Sequence, residues 1–152
     1  MTFANAITID RPRRDIFGFL AHFENIPRWN YAIVETRPVS DDPVAVGKVY
    51  RQTRSIPYRA EETFEIITLE PDLALGIEGK FGPFHGTLTY ELEDRGSSTL
   101  LKNTVQLEGH GLAKIAAAMS ASRLQRAVAA NLDTLKKVLE GLLTQPNEKG
   151  LD

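Results

Sequence analysis

Tyr90 and Asn103 are the polar side chains that strand alternation directs toward an otherwise apolar face: Tyr90 shares parity with Leu88 and Leu92, and Asn103 with Leu101 and Val105. A buried hydroxyl or amide needs a partner, because leaving one unpaired costs about 1–3 kcal/mol. Each could hold a ligand or a trapped water, or the two could meet across neighbouring strands. Residues 46–56 form another strand, in two possible phases. One turns Val49, Arg51 and Thr53 inward and the other Tyr50, Gln52 and Arg54; the large apolar body of Tyr50 favours the second. An inward Arg54 could meet a ligand carboxylate, or its long stem could carry the charge to solvent. Glu35 has the parity of Tyr31 and Ile33. Enclosed, it would be the desolvated acid that general acid catalysis uses; at a cavity mouth it would be hydrated.

The three histidines are scattered. His22 falls near the end of the first helix, where a basic side chain serves as a C-terminal cap. His85 shares parity with Thr87, Thr89 and Glu91, which puts it on the polar side unless a bulge near Gly86 resets the phase. His110, between Gly109 and Gly111, marks the junction of the last strand and last helix, near a cavity mouth. None has HExxH-type spacing, and a metal needs three or four convergent donors, so no metal site is expected. The chain has no cysteine, which excludes disulfides and thiolate chemistry. It also lacks a GxSxG elbow, a GxxxxGK[ST] loop and a GxGxxG turn. Glu91, Glu93, Asp94 and Glu108 alternate onto the solvated face or fall in turns. No catalytic residue and no cofactor is assigned on these grounds.

The elements that would position these groups are legible as alternation and punctuation. Phe3, Ile7 and Ile9 give a first strand; Pro12 opens a short helix carrying Ile16, Phe17 and Leu20, with Asp10 as a possible cap. Pro27 confines the next stretch, 24–29, to a turn or short helix. Strands follow at 31–39, 46–56 and 60–69, then around Leu73, Leu75 and Ile77, around Leu88, Tyr90 and Leu92, and around Leu101, Val105 and Leu107. The gaps are too short for crossover helices, so neighbours should pair antiparallel. From Leu112 to Leu143 only Gly141 interrupts a helical pattern, with Leu124, Val128, Leu132, Leu135, Leu139 and Leu142 on one stripe. A helix of that length would run roughly 45 Å and would cover the apolar face of the sheet. Its first half is rich in alanine (Ala113, Ala116, Ala117, Ala118, Ala121), which suits either plain helix propensity or a cavity beneath it.

With 152 residues, the chain has the size of one domain. Residues 1–144 are expected to form it, and 145–152 a frayed tail. A formal net charge of -2 gives no general attraction to nucleic acid. No apolar run is long enough for stable membrane insertion, and no signal-peptide pattern opens the chain, so a cytoplasmic location and a monomer or weak homodimer are the default expectations.

Three stretches carry a family resemblance: ITIDRPRRDIFGFLAHFENIPRWN, VGKVYRQTRSIPYRAEETFEIITLEP and GPFHGTLTYELEDRGSSTLLKNTVQLEG. Together with the last helix they cover nearly all of the chain. The order of strand, two short helices, six strands and a long helix resembles the helix-grip fold of the START and birch-pollen-allergen superfamily. Within it the chain is similar to the polyketide cyclase/dehydrase and lipid-transport-like branch. The resemblance implies an α+β fold in which a curved seven-stranded antiparallel sheet wraps around the last helix and encloses an apolar cavity. Members bind lipids, sterols, polyketides, hormones or aromatic compounds; some catalyse cyclisation or dehydration, and others serve in chaperone stimulation or toxin systems. The branch has no universal catalytic set to carry over. The expected partner is a small hydrophobic molecule. The expected lining is Trp29, Tyr50, Arg54, Phe64, Leu75 and Ile77 from the first half of the chain. Leu88, Tyr90, Asn103, Val105, Ile115 and Met119 complete it. A carrier or sensor, a cyclase or dehydratase, and a protein-interaction module with a filled core all remain open.

Overall fold

In the computed structural model, which describes residues 1–109 and 120–141, seven strands form one antiparallel sheet. The strands are β1 (Thr2–Ile9), β2 (Ile33–Pro38), β3 (Val49–Arg54), β4 (Ala60–Glu70), β5 (Ala74–Phe81), β6 (Phe84–Asp94) and β7 (Thr99–Gly109). Their spatial order is β1-β7-β6-β5-β4-β3-β2. Helix α1 (Arg13–Ala21) and a 3-10 helix (Phe23–Arg28) separate β1 from β2, and helix α2 (Ala121–Leu139) follows β7. Each hairpin from β2 to β7 is closed by a turn too short for a crossover, which is why the antiparallel expectation holds. This is the α+β helix-grip architecture, a curved sheet around a long C-terminal helix.

The curvature has a local cause. Gly79 of β5 and Gly86 of β6 are cross-strand partners. A Cβ on Gly79 would lie 2.3 Å from the Thr63 carbonyl oxygen, and one on Gly86 would lie 2.0 Å from that of Gln106. At both positions the neighbouring backbone comes closer than any side chain allows, so the sheet can bend tightly across this pair.

Two apolar clusters fill the concave side. The larger gathers Ile9, Ile16, Phe23, Ile66, Leu75 and Leu101 with Leu132, Leu135 and Leu139 of α2. The smaller contains Phe3, Phe84, Val105 and Leu107, packed against Leu124 and Val128 near the start of α2. The helix is also stitched to edge strand β1. Asn5 Nδ2 donates to the Gln125 carbonyl at 3.1 Å, Gln125 Nε2 donates to the Ala4 carbonyl at 2.9 Å, and Lys136 Nζ donates to the Thr8 carbonyl at 2.6 Å. The free edge of β1 is therefore covered rather than left open to pairing.

Several expectations are corrected. Ser120 is in an extended conformation and caps α2, its Oγ accepting from the Arg123 N–H. The described helix therefore begins at Ala121 and runs roughly 28 Å for its 19 residues, instead of continuing unbroken from Leu112. Pro12, not Asp10, stands at the start of α1 with no side-chain cap, and the Asp10 N–H is taken by Glu140 Oε2 at 2.7 Å. Tyr31 and Leu73 are exposed outside their strands. A register shift between Ile33 and Glu35 turns Thr36 inward and leaves Glu35 solvated. His22 does terminate α1, with Nδ1 3.0 Å from Glu24. His85 stays on the exposed face, its pairing with Glu108 regular. Leu112, Leu142, His110, the alanines at 113 and 116–118, and the tail expected at 145–152 lie outside the described residues. No helix among the described residues is long and apolar enough to cross a membrane.

Candidate functional site

The two clusters do not close completely over the sheet. Between them lies a cavity of about 190 Å³. It lies under the N-terminal half of α2. Leu132, Leu135 and Leu139 reach the sheet and fill the space beneath the C-terminal half. The preceding turns present Leu124, Ala127, Val128 and Asn131 to the cavity, and Ala127 and Val128 are smaller than the leucines that follow.

The opposite wall comes from the sheet. Ile77 of β5, Leu88 and Tyr90 of β6, and Val105 and Leu107 of β7 line it, each turned inward by alternation. Trp29, at the end of the 3-10 helix, closes one side and meets the Tyr90 ring edge-on, with centroids 6.4 Å apart and planes at 84°. Tyr31, Ile56 and Pro57 form a rim, and the exposure of Tyr31 and Ile56 shows that the cavity reaches the surface there.

Polar groups are few. Burial pushes the Tyr90 hydroxyl well above the usual tyrosine range, so it stays a neutral donor. It makes no hydrogen bond among the described residues. Asn131 is 8% exposed and contributes an amide to the helix side. Gln52 and Arg54 form the end near the β5–β6 turn. Beneath them lies Glu62 of β4, its side chain 1% exposed. Glu62 Oε1 accepts from Gln52 Nε2, Arg54 Nε and Arg54 Nη2, each at 2.8 Å, and Oε2 accepts from the Gly82 N–H at 2.7 Å. Gln52 Oε1 in turn accepts from Thr36 Oγ1 at 3.4 Å. Gly82 takes φ of 63°, a conformation suited to glycine, and so can point its N–H at the carboxylate. Four donors thus meet the carboxylate and leave neither oxygen bare.

Of the residues expected from the sequence, Trp29, Arg54, Ile77, Leu88, Tyr90 and Val105 line the cavity. The inward phase of β3 is the one led by Tyr50, which is 1% exposed beside Gln52 at 4%. Tyr50, Phe64, Leu75 and Asn103 lie in the core or the sheet instead of the cavity wall. Phe23 descends from the 3-10 helix onto Tyr50 and Phe64, with centroids at 4.8 and 5.4 Å, and those two rings stack on each other at 5.4 Å. Asn103 donates from Nδ2 to the Thr89 carbonyl at 3.3 Å; it does not bond Tyr90. Ile115 and Met119 lie outside the described residues. Glu62 was missed, although its parity with Phe64 and Ile66 announces an inward acid opposite Gln52. Among the described residues, no group of three or more His, Asp or Glu could hold a metal ion.

The architecture recurs in solved structures. A protein from Thermus thermophilus superposes with a TM-score of 0.76 at 12% identity, over 95% of this chain and 100% of that one. The Zhui aromatase/cyclase from Streptomyces sp. R1128 gives 0.75 at 11% identity, over 92% and 93%. A START superfamily protein from Mycobacterium smegmatis gives 0.70 at 16% identity, over 92% and 94%. These likenesses establish the fold. No curated protein matches the chain. The model of the family described as polyketide cyclase / dehydrase and lipid transport matches residues 1–140, and the chain belongs to that family.

Proposed function

We propose that the protein binds a small hydrophobic molecule in the cavity between the sheet and the first turns of α2. The observation that carries this reading is the 190 Å³ space itself, apolar over most of its wall and supplied with a few convergent polar groups. A space of this order suits a compact ligand, since a cavity of about 150 Å³ holds benzene. Membership of a family whose description joins cyclases with lipid transport agrees with such a ligand. The same space counts against an interaction module with a filled core.

A cyclase or dehydratase is the second reading, favoured by the Tyr90 hydroxyl in the wall as a protonated donor. An enzyme using this cavity would work mainly by shaping its substrate, because Glu62 already has a donor at each oxygen.

Native mass spectrometry of the protein purified from its own cells tests the main reading. The wild type should carry a small apolar molecule, and Val128→Trp, which fills the cavity from the helix side, should lose it while keeping its fold. Equal retention by both proteins would put the molecule elsewhere and reject the reading. If the molecule is converted on incubation, Tyr90→Phe should slow its turnover by more than it lowers retention.

A further inference from the structure

We propose that the cavity selects uncharged ligands over carboxylates, and that the buried Glu62, by occupying Arg54, sets that preference. The inference rests on the ligand-binding reading above and narrows the class of ligand.

Arg54 is the only charged side chain lining the cavity among the described residues. A guanidinium at the end of an apolar pocket ordinarily marks a carboxylate site, because its planar fork accepts both oxygens at once. Here one side of that fork is already turned to an acid. Nε and Nη2 both point at Glu62 Oε1 at 2.8 Å, and Nη1 lies 3.5 Å from the Ile56 carbonyl. Every recorded partner of Glu62 is an N–H donor, so both of its oxygens are engaged as acceptors. With its side chain 1% exposed and one oxygen tied to the Gly82 backbone, it cannot turn to solvent and release the arginine.

The end of the cavity therefore presents a paired cation instead of a free one. A ligand carboxylate brought to Arg54 would stand beside a second carboxylate, and like charges so placed repel. An uncharged ligand meets no such opposition. Its carbonyl or phenolic oxygen can accept from the Tyr90 hydroxyl, which has no acceptor among the described residues, or from the Asn131 amide. Without Glu62, the same cavity would present an unpaired cation and prefer acids.

The test uses 2-naphthol and 2-naphthoate, two probes with the same fused rings, one uncharged and one anionic at neutral pH. Binding to the full chain is measured by calorimetry, with quenching of Trp29, the chain's single tryptophan and part of the cavity wall, as a second signal. The wild type should bind naphthol at least tenfold more tightly than naphthoate. Lowering the pH through the probe's own ionisation should bring naphthoic acid up to the affinity of naphthol; this arm needs no variant. In Glu62→Gln, checked for fold by circular dichroism, naphthoate should gain at least tenfold over its wild-type affinity. Equal binding of the two probes by the wild type would overturn the selectivity and leave the cavity reading intact. A folded Glu62→Gln with no gain for naphthoate would overturn the role of Glu62. Binding of neither probe would overturn the cavity reading and this inference with it.

Discussion

Replacing Gly86 by alanine tests whether the bend of the sheet depends on a bare backbone at the Gly79–Gly86 pair. The added Cβ would sit 2.0 Å from the Gln106 carbonyl oxygen, 3.0 Å from its carbon and 2.9 Å from Leu107 Cδ2. Two of the three obstacles are backbone, so no rotamer change relieves them, and β6 and β7 must part by about 1 Å at this point. Overpacking by one methyl costs about 1–3 kcal/mol, and a strained ladder hydrogen bond adds about 1. A loss of about 3 kcal/mol follows, which in a domain of this size lowers Tm by about 6–12 °C. Gly18 supplies the control: it lies inside α1, exposed, and a Cβ there meets nothing within 4 Å. Gly18→Ala should stabilise the protein by about 0.5–1 kcal/mol through helix propensity alone. Urea unfolding followed by Trp29 fluorescence and far-UV circular dichroism measures both variants. A Gly86→Ala protein as stable as the wild type would show that the strands can spread there without cost. The account of the curvature, and of how the cavity is shaped, would then be wrong.

Two further consequences bear on the same scaffold. Because burial raises the Tyr90 pKa, the folded state favours the neutral phenol; its contribution is complete below the unfolded pKa near 10 and is lost as pH rises toward the folded value. Tyr90→Phe should therefore lose less stability than the wild type between about pH 10 and 12, and parallel urea curves across that range would contradict the assignment. Leu135, fully buried where α2 meets the sheet, should cost about 2–5 kcal/mol as Leu135→Ala, against well under 1 kcal/mol for exposed Ala129→Ser; similar losses in thermal melts would mean that the helix is not anchored there.

Much of the scaffold is local in origin and so could be read without coordinates. Alternation at Leu88, Tyr90 and Leu92, and at Leu101, Asn103, Val105 and Leu107, names the inward face of β6 and β7 because successive strand side chains must point to opposite sides. The apolar stripe through Leu124, Val128, Leu132, Leu135 and Leu139 announces α2 in the same way. Five of the expected lining residues, Arg54, Ile77, Leu88, Tyr90 and Val105, reached the cavity for this reason, since a strand residue must face inward to line it.

Parity cannot say what lies on top of an inward residue. Tyr50 and Phe64 are inward yet roofed by Phe23, a contact between segments far apart in the chain. Glu35 has the parity of buried Ile33 yet is solvated, because one register shift in β2 moved the phase, and a slip of one residue exchanges the two faces. The start of α2 at Ser120 is a capping event that the alanine-rich pattern around it does not announce. Glu62 shows the division most plainly. Its inward parity is written in the sequence, but its partners come from the neighbouring strand β3 and from a turn twenty residues onward, and only the folded sheet assembles them. Periodicity is a property of adjacent residues and survives in the bare sequence; cover, register and partnership are made by segments that meet only in three dimensions.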